Sequence, residues 1–119
     1  ESDMAYDGSC HCGAVTFTME GDAPDTALSC NCSMCRRTGA LLAFGPRSSL
    51  TLRSGEDSLR AYLFNTHKIA HQFCTTCGIE TFAYADAPDG TPGVAVNLRC
   101  VPAIDLDALE IQRYDGASR

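Results

Sequence analysis

Cys30-Asn31-Cys32-Ser33-Met34-Cys35-Arg36-Arg37 places three thiols within six residues and follows them with two guanidiniums. A hydrophobic core has no use for that order. Three protein ligands with a fourth position open is the arrangement of a catalytic rather than a structural zinc. A second set, Cys10, Cys12, Cys74 and Cys77, reads as C-x-C plus C-x-x-C. Four thiolates close a tetrahedron, the structural kind of site. Glycine follows each pair, at Gly13 and Gly78. There it can take positive φ and turn backbone N–H groups toward the sulfurs. Two zinc ions per chain are expected, one closed and one open.

The competing use of eight Cys is a disulfide framework. Clustering speaks against it, because Cys two residues apart on a strand point the same way and suit one ion. Cys100 is the remaining thiol and the alternative fourth ligand for Cys30, Cys32 and Cys35. Among the histidines, His11 is expected to point away from the metal, His67 to sit on a surface loop and His71 to be a satisfied strand residue. An open zinc invites an exogenous thiol. Free thiols ionise near pH 8.5, and coordination removes the proton outright. The product is a thiolate able to attack a small aldehyde. Arg36 and Arg37 read either as solvated charge or as a clamp for the carboxylates of an anionic thiol such as glutathione. Lys68 and Arg99 are further candidates for anion contact.

The elements that must hold these groups are short. A chain of 119 residues favours one domain. Apolar residues make up 45%, and setting the eight Cys aside leaves about 38%, a modest core. Structural zinc, worth ~10–16 kcal/mol in small zinc modules, would compensate. Residues 1–7 read as a loose lead-in with Asp7-Gly8 as a turn, and 8–116 as the domain. Alternating Val15, Phe17 and Met19 mark a strand over 14–19. Further strands are expected over 27–30, 40–44, 50–53, 59–64, 69–73, 79–85, 94–98 and 111–114. Helical turns are expected over 34–38, capped by Ser33 and closed by Gly39, and over 105–109. The fold class is mainly β, of short antiparallel strands.

Net charge is −6, which argues against nucleic-acid or membrane-surface binding. No apolar run approaches 18 residues, so no membrane span is expected. Met4 is the expected first native residue, no signal pattern precedes it, and a cytoplasmic location follows. Oligomeric state leaves no trace.

Gly8-Ser9-Cys10-His11-Cys12-Gly13-Ala14-Val15 resembles the opening of the glutathione-dependent formaldehyde-activating enzyme family, which includes the centromere protein V relatives. Cys30 through Ala40 is similar to that family's central motif, and Phe73-Cys74-Thr75-Thr76-Cys77-Gly78 to its third. Val96 through Cys100 and Tyr114-Asp115-Gly116 resemble weaker C-terminal marks. The resemblance implies an Mss4-like fold. It also implies a structural zinc at Cys10, Cys12, Cys74 and Cys77 and a catalytic one at Cys30, Cys32 and Cys35. The activity it implies is of carbon–sulfur lyase type, the reversible union of formaldehyde with glutathione. Asn31 departs from the family, which often has His there. Two alternatives stand beside the enzyme: a non-catalytic zinc module that binds a thiol metabolite or a protein, and a zinc-containing thiol reductase using Cys100. The segment around Cys100 does not resemble that reductase family's active site.

Overall fold

Apolar alternation sets most of the strands. The structure, a computed structural model, describes residues 4–63 and 68–118. Strands β1 (Ala5–Ser9), β2 (Thr16–Glu20) and β5 (Leu50–Ser54) form an antiparallel sheet ordered β1-β2-β5. Residues 5–7, expected in the lead-in, belong instead to β1. Asp7-Gly8 reads as a turn in isolation, but Gly8 sits opposite Phe17, whose ring fills the space a side chain would need. Residues 1–3 lie outside the described residues.

The second sheet has seven strands: β3 (Thr26–Cys30), β4 (Leu42–Pro46), β6 (Leu59–Tyr62), β7 (Ala70–Cys74), β8 (Glu80–Asp86), β9 (Pro92–Asn97) and β10 (Glu110–Tyr114). Their order is β10-β3-β4-β9-β8-β7-β6. Every pairing is antiparallel except β3 with β10, which is parallel. The expectation of antiparallel strands therefore needs correcting at that edge. A parallel neighbour needs a long crossover, and the excursion from Leu98 to Leu109 supplies it.

The sheets share one core. Phe17 and Met19 from β2 meet Phe82, Val94 and Val96 from β8 and β9. Phe17 and Phe82 pack edge to face with ring centroids 5.3 Å apart, a favoured aromatic geometry. The chain is thus mainly β, with one short α-helix, α1 (Cys35–Thr38), among the described residues. That helix starts later than the Ser33 cap implied. Met34 occupies the N-cap without a side-chain hydrogen bond, and the carbonyl of Ser33 accepts from Arg37 Nη1 at 2.7 Å. Gly39 closes the helix in the left-handed conformation, as expected. Strand β6 stops at Tyr62. Phe64 and the connection containing His67 lie outside the described residues.

Asn97, buried at the end of β9, joins three segments. Its Oδ1 accepts from the N–H groups of Leu41 (3.3 Å) and Arg99 (3.1 Å), and its Nδ2 donates to the carbonyl of Glu80 (2.9 Å). Asn97→Leu leaves these groups without their partner, and each unsatisfied buried group costs about 1–3 kcal/mol. A loss near ~3 kcal/mol is expected in urea unfolding. An unchanged midpoint would count against the bridging role.

Candidate metal centres and the adjoining pocket

Two hairpin knuckles build the first cluster. Cys10 and Cys12 follow β1, while Cys74 ends β7 and Cys77 lies in the turn before β8. Their four sulfurs lie within 4.8 Å of one another. Cys12 Sγ is 3.6 Å from both Cys10 Sγ and Cys74 Sγ. Tetrahedral zinc with Zn–S near 2.3 Å puts its sulfurs roughly 3.8 Å apart, so the donor set fits that ion. No disulfide forms, and all eight Cys are free. Gly13 and Gly78 both have φ of 82°, the conformation expected of them. The turns they allow aim the N–H of Val15 at Cys10 Sγ (3.3 Å) and that of Thr76 at Cys74 Sγ (3.4 Å). Such bonds stabilise thiolate charge. At Cys77 the N–H of Cys12, and after it that of Ile79, lower the thiol to about 6. Cys10 and Cys74 are buried with Val15 and packed by Leu52 and Leu59. A metal held here would therefore tie the β1–β2 hairpin to β7 and β8.

The second cluster spans one turn of chain. Cys30 ends β3, Cys32 lies in the loop and Cys35 opens α1. Their sulfurs also lie within 4.8 Å of one another. The N–H of Cys32 points to Cys30 Sγ (3.4 Å), and that of Cys35 to Cys32 Sγ (3.3 Å). Burial alone would raise Cys32, but the Cys35 N–H and neighbouring thiols outweigh it and the group is lowered. Cys35 is pushed well up, first by burial and then by Cys32 and Cys30. Sulfurs this close resist ionising together until a cation compensates them. The cluster has no fourth His, Cys, Asp or Glu ligand among the described residues.

Cys100 is not that ligand. It is buried, with Sγ 3.5 Å from the carbonyl of Glu80, and burial pushes its thiol up to about 12. That is the reverse of what a redox nucleophile needs.

The three thiols line a pocket of about 410 Å³. Its other polar side chains among the described residues are His71, Glu80 and Tyr114. His71 Nδ1 lies 2.6 Å from Glu80 Oε2, and both residues are buried. Glu80 Oε1 is also buried and has no hydrogen-bond partner among the described residues. Sequence reasoning placed His71 correctly as a paired strand residue, but missed Glu80 and missed that the pair faces the thiols. No motif marks them. The signal is structural, because register sets His71 opposite Ala83 on the pocket side of β8.

The predicted cations lie elsewhere. Arg36 and Arg37 are exposed on α1 and do not line the pocket. Arg99 Nε donates to the carbonyl of Gly39 at 2.7 Å, so it holds the end of α1. Lys68 and His11 are exposed. Asn31 ties down the C-terminal segment. Its Nδ2 donates to Asp115 Oδ1 (3.0 Å), and its Oδ1 accepts from the N–H of Ala117 (2.9 Å). Gly116 then packs where any Cβ would overlap Cys30 Sγ. The departure at position 31 and the Tyr114-Asp115-Gly116 mark are thus one structural feature, a clasp over the second cluster.

The family model for glutathione-dependent formaldehyde-activating enzymes matches residues 5–105. The chain belongs to that family. A crystal structure of a Rhodobacter sphaeroides protein shares the fold, with a TM-score of 0.76 and 32% identity over 89% of this chain and 99% of that one. A Halomonas elongata protein provisionally named a glutathione-dependent formaldehyde-activating enzyme is 39% identical over 56 residues. That match covers 47% of this chain and 33% of the relative, so the chain spans about a third of that relative's length. Both thiol clusters and the pocket's His71 and Glu80 fall inside the family match; the Gly116 clasp lies beyond it. Among the described residues no helix is long and apolar enough to cross a membrane.

Proposed function

We propose that the chain is a zinc-dependent enzyme of carbon–sulfur lyase type. It joins glutathione, or a similar thiol, reversibly to formaldehyde or another small carbonyl in a cytoplasm that keeps thiols reduced. One observation carries the reading: three clustered thiols open onto a pocket that also holds a buried His–Glu pair. The four-thiol cluster takes the structural role and the three-thiol cluster the catalytic one.

Zinc held by Cys30, Cys32 and Cys35 would supply a coordinated thiol that is ionised at neutral pH. The protein's own residues do the rest. The pocket walls exclude water from the carbonyl, which strengthens polar contacts inside. As the C–S bond forms, the carbonyl oxygen becomes an alkoxide and needs the proton the thiol gave up. His71 is positioned to deliver it, with Glu80 Oε2 fixing the imidazole through Nδ1. No electrons change hands, and the reverse reaction uses the same groups. Arg36 and Arg37 lie outside the pocket and would meet the glutathione carboxylates there. Arg36→Gln with Arg37→Gln is expected to raise KM for glutathione about tenfold, the loss of one charge-assisted hydrogen bond. The KM for 2-mercaptoethanol, which has no carboxylate, should not move. A parallel rise in both would remove the clamp from the account.

The test is exchange NMR between free formaldehyde hydrate and the hydroxymethyl thiol adduct. The zinc-loaded protein is expected to speed exchange with saturation in glutathione. Tight thiol binding without acceleration would instead support the non-catalytic zinc module.

A further inference from the structure

The pocket is far larger than formaldehyde, and its walls have a definite chemistry. At about 410 Å³ it falls within the ~300–1,000 Å³ typical of sites for small organic ligands. Register explains the hollow. Phe44 of β4 pairs with Ala95 of β9, Ala95 with Ala83 of β8, and Ala83 with His71 of β7. This line crosses four strands of the large sheet, and all four of its residues line the pocket. Its two central positions are alanine, which strands disfavour. The other side of the same two strands carries Phe82, Val94 and Val96, packed into the core. Large side chains thus fill one face of β8 and β9, while alanines leave the other concave.

Leu28, Leu42, Ile69, Ala85 and Tyr114 complete the walls. Phe44 at 64% exposure and Ile69 at 45% stand at the opening, where large apolar side chains usually mark a binding surface. Among the described residues no Lys or Arg lines the pocket, so none of these supplies a charge partner for the carboxylates of glutathione. Its polar side chains are the three thiols, the His71–Glu80 pair and the Tyr114 phenol, and none of them carries a fixed positive charge like that of Lys or Arg.

Resting on the carbon–sulfur reading above, we propose that this pocket seats an aldehyde with an apolar chain of roughly four to eight carbons, which a pocket of the ~300–1,000 Å³ class accommodates. The aldehyde carbon lies toward Cys30, Cys32 and Cys35, its oxygen toward His71, and its chain over Ala83 and Ala95. The thiol sulfur bonds to the carbonyl carbon, the C=O double bond becomes a single bond, and the thiol proton ends on that oxygen. The charged body of the thiol stays outside. Each methylene moved from water to the alanine floor should tighten binding about fourfold.

Two series test this on the zinc-loaded protein. With glutathione saturating, kcat/KM is measured for straight-chain aldehydes from formaldehyde to octanal. Separately, straight-chain primary alcohols, which cannot form the adduct, are titrated by saturation-transfer NMR. Both series are expected to gain about three- to fourfold per carbon up to about six carbons. Ala95→Leu fills the floor and should collapse the gain in both. Phe44→Ala, at an exposed position outside the core, should reduce it. Alcohol binding that ignores chain length, or is unchanged in Ala95→Leu, overturns the assignment whatever the kinetics show. Chain length that matters on the thiol and not on the aldehyde also overturns it. Normal alcohol binding with no acceleration for any aldehyde overturns the carbon–sulfur reading instead.

Discussion

Cys74→Ser is expected to leave the chain unfolded at room temperature. Cys74 is buried, and its Sγ stands 3.6 Å from Cys12 Sγ. It also accepts the N–H groups of Thr76 and Cys77. Among the described residues, Val15 and Cys10 form a small buried cluster with it, joined to the main core through half-buried Leu52 and Leu59. That small cluster adds little apolar burial of its own to what the main core supplies. Apparent zinc binding of ~10–16 kcal/mol in small modules compares with a net domain stability of about 5–15 kcal/mol. Losing one of four ligands should therefore remove most of the margin. Circular dichroism would show the lost strand signal, and a strong chelator should produce the same spectrum from the unaltered protein. A cooperative melt for Cys74→Ser within a few degrees of the parent would show that this cluster does not carry the fold.

Cys32→Ser is expected to act in the opposite way, leaving the fold and removing the chemistry. Cys32 is half-buried in the loop between β3 and α1. The main core of Phe17, Phe82, Val94 and Val96 lies on the other face of the large sheet. Activity should fall more than ~100-fold, beyond the range for changes one shell away from a metal. Isothermal titration should show glutathione binding in the parent and none in Cys32→Ser, while the thermal melts nearly coincide. Equal glutathione binding by both would detach the thiol from this cluster.

The grouping of the thiols was readable in the sequence, because each donor motif is local. C-x-C, C-x-C-x-x-C and C-x-x-C state their donors and the number each site can gather. The strands with clean alternation, such as β2 and β7, were legible for the same reason. What could not be read depends on pairing between distant segments. Ala83 and Ala95 are unremarkable residues until register sets them side by side. His71 and Glu80 become a pair only through the β7–β8 hairpin, whose register shifts between Gln72 and Phe73. Strand β1 was hidden by Asp7-Gly8, a turn signal that the Phe17 ring overrides. The parallel entry of β10 and the clasp of Asn31 on Asp115 join residues more than 80 positions apart, and no local pattern reports such a partner.

Cadmium-113 NMR tests the central claim most directly. Cadmium is thiophilic and replaces zinc in thiolate sites, and its chemical shift reports the number of sulfurs bound. The account predicts two resonances, one from the four sulfurs of Cys10, Cys12, Cys74 and Cys77 and one from the three of Cys30, Cys32 and Cys35. Glutathione should move only the second, toward the position of the first, as a fourth sulfur joins it. A single resonance, or two that glutathione leaves in place, would contradict an open thiol-accepting site.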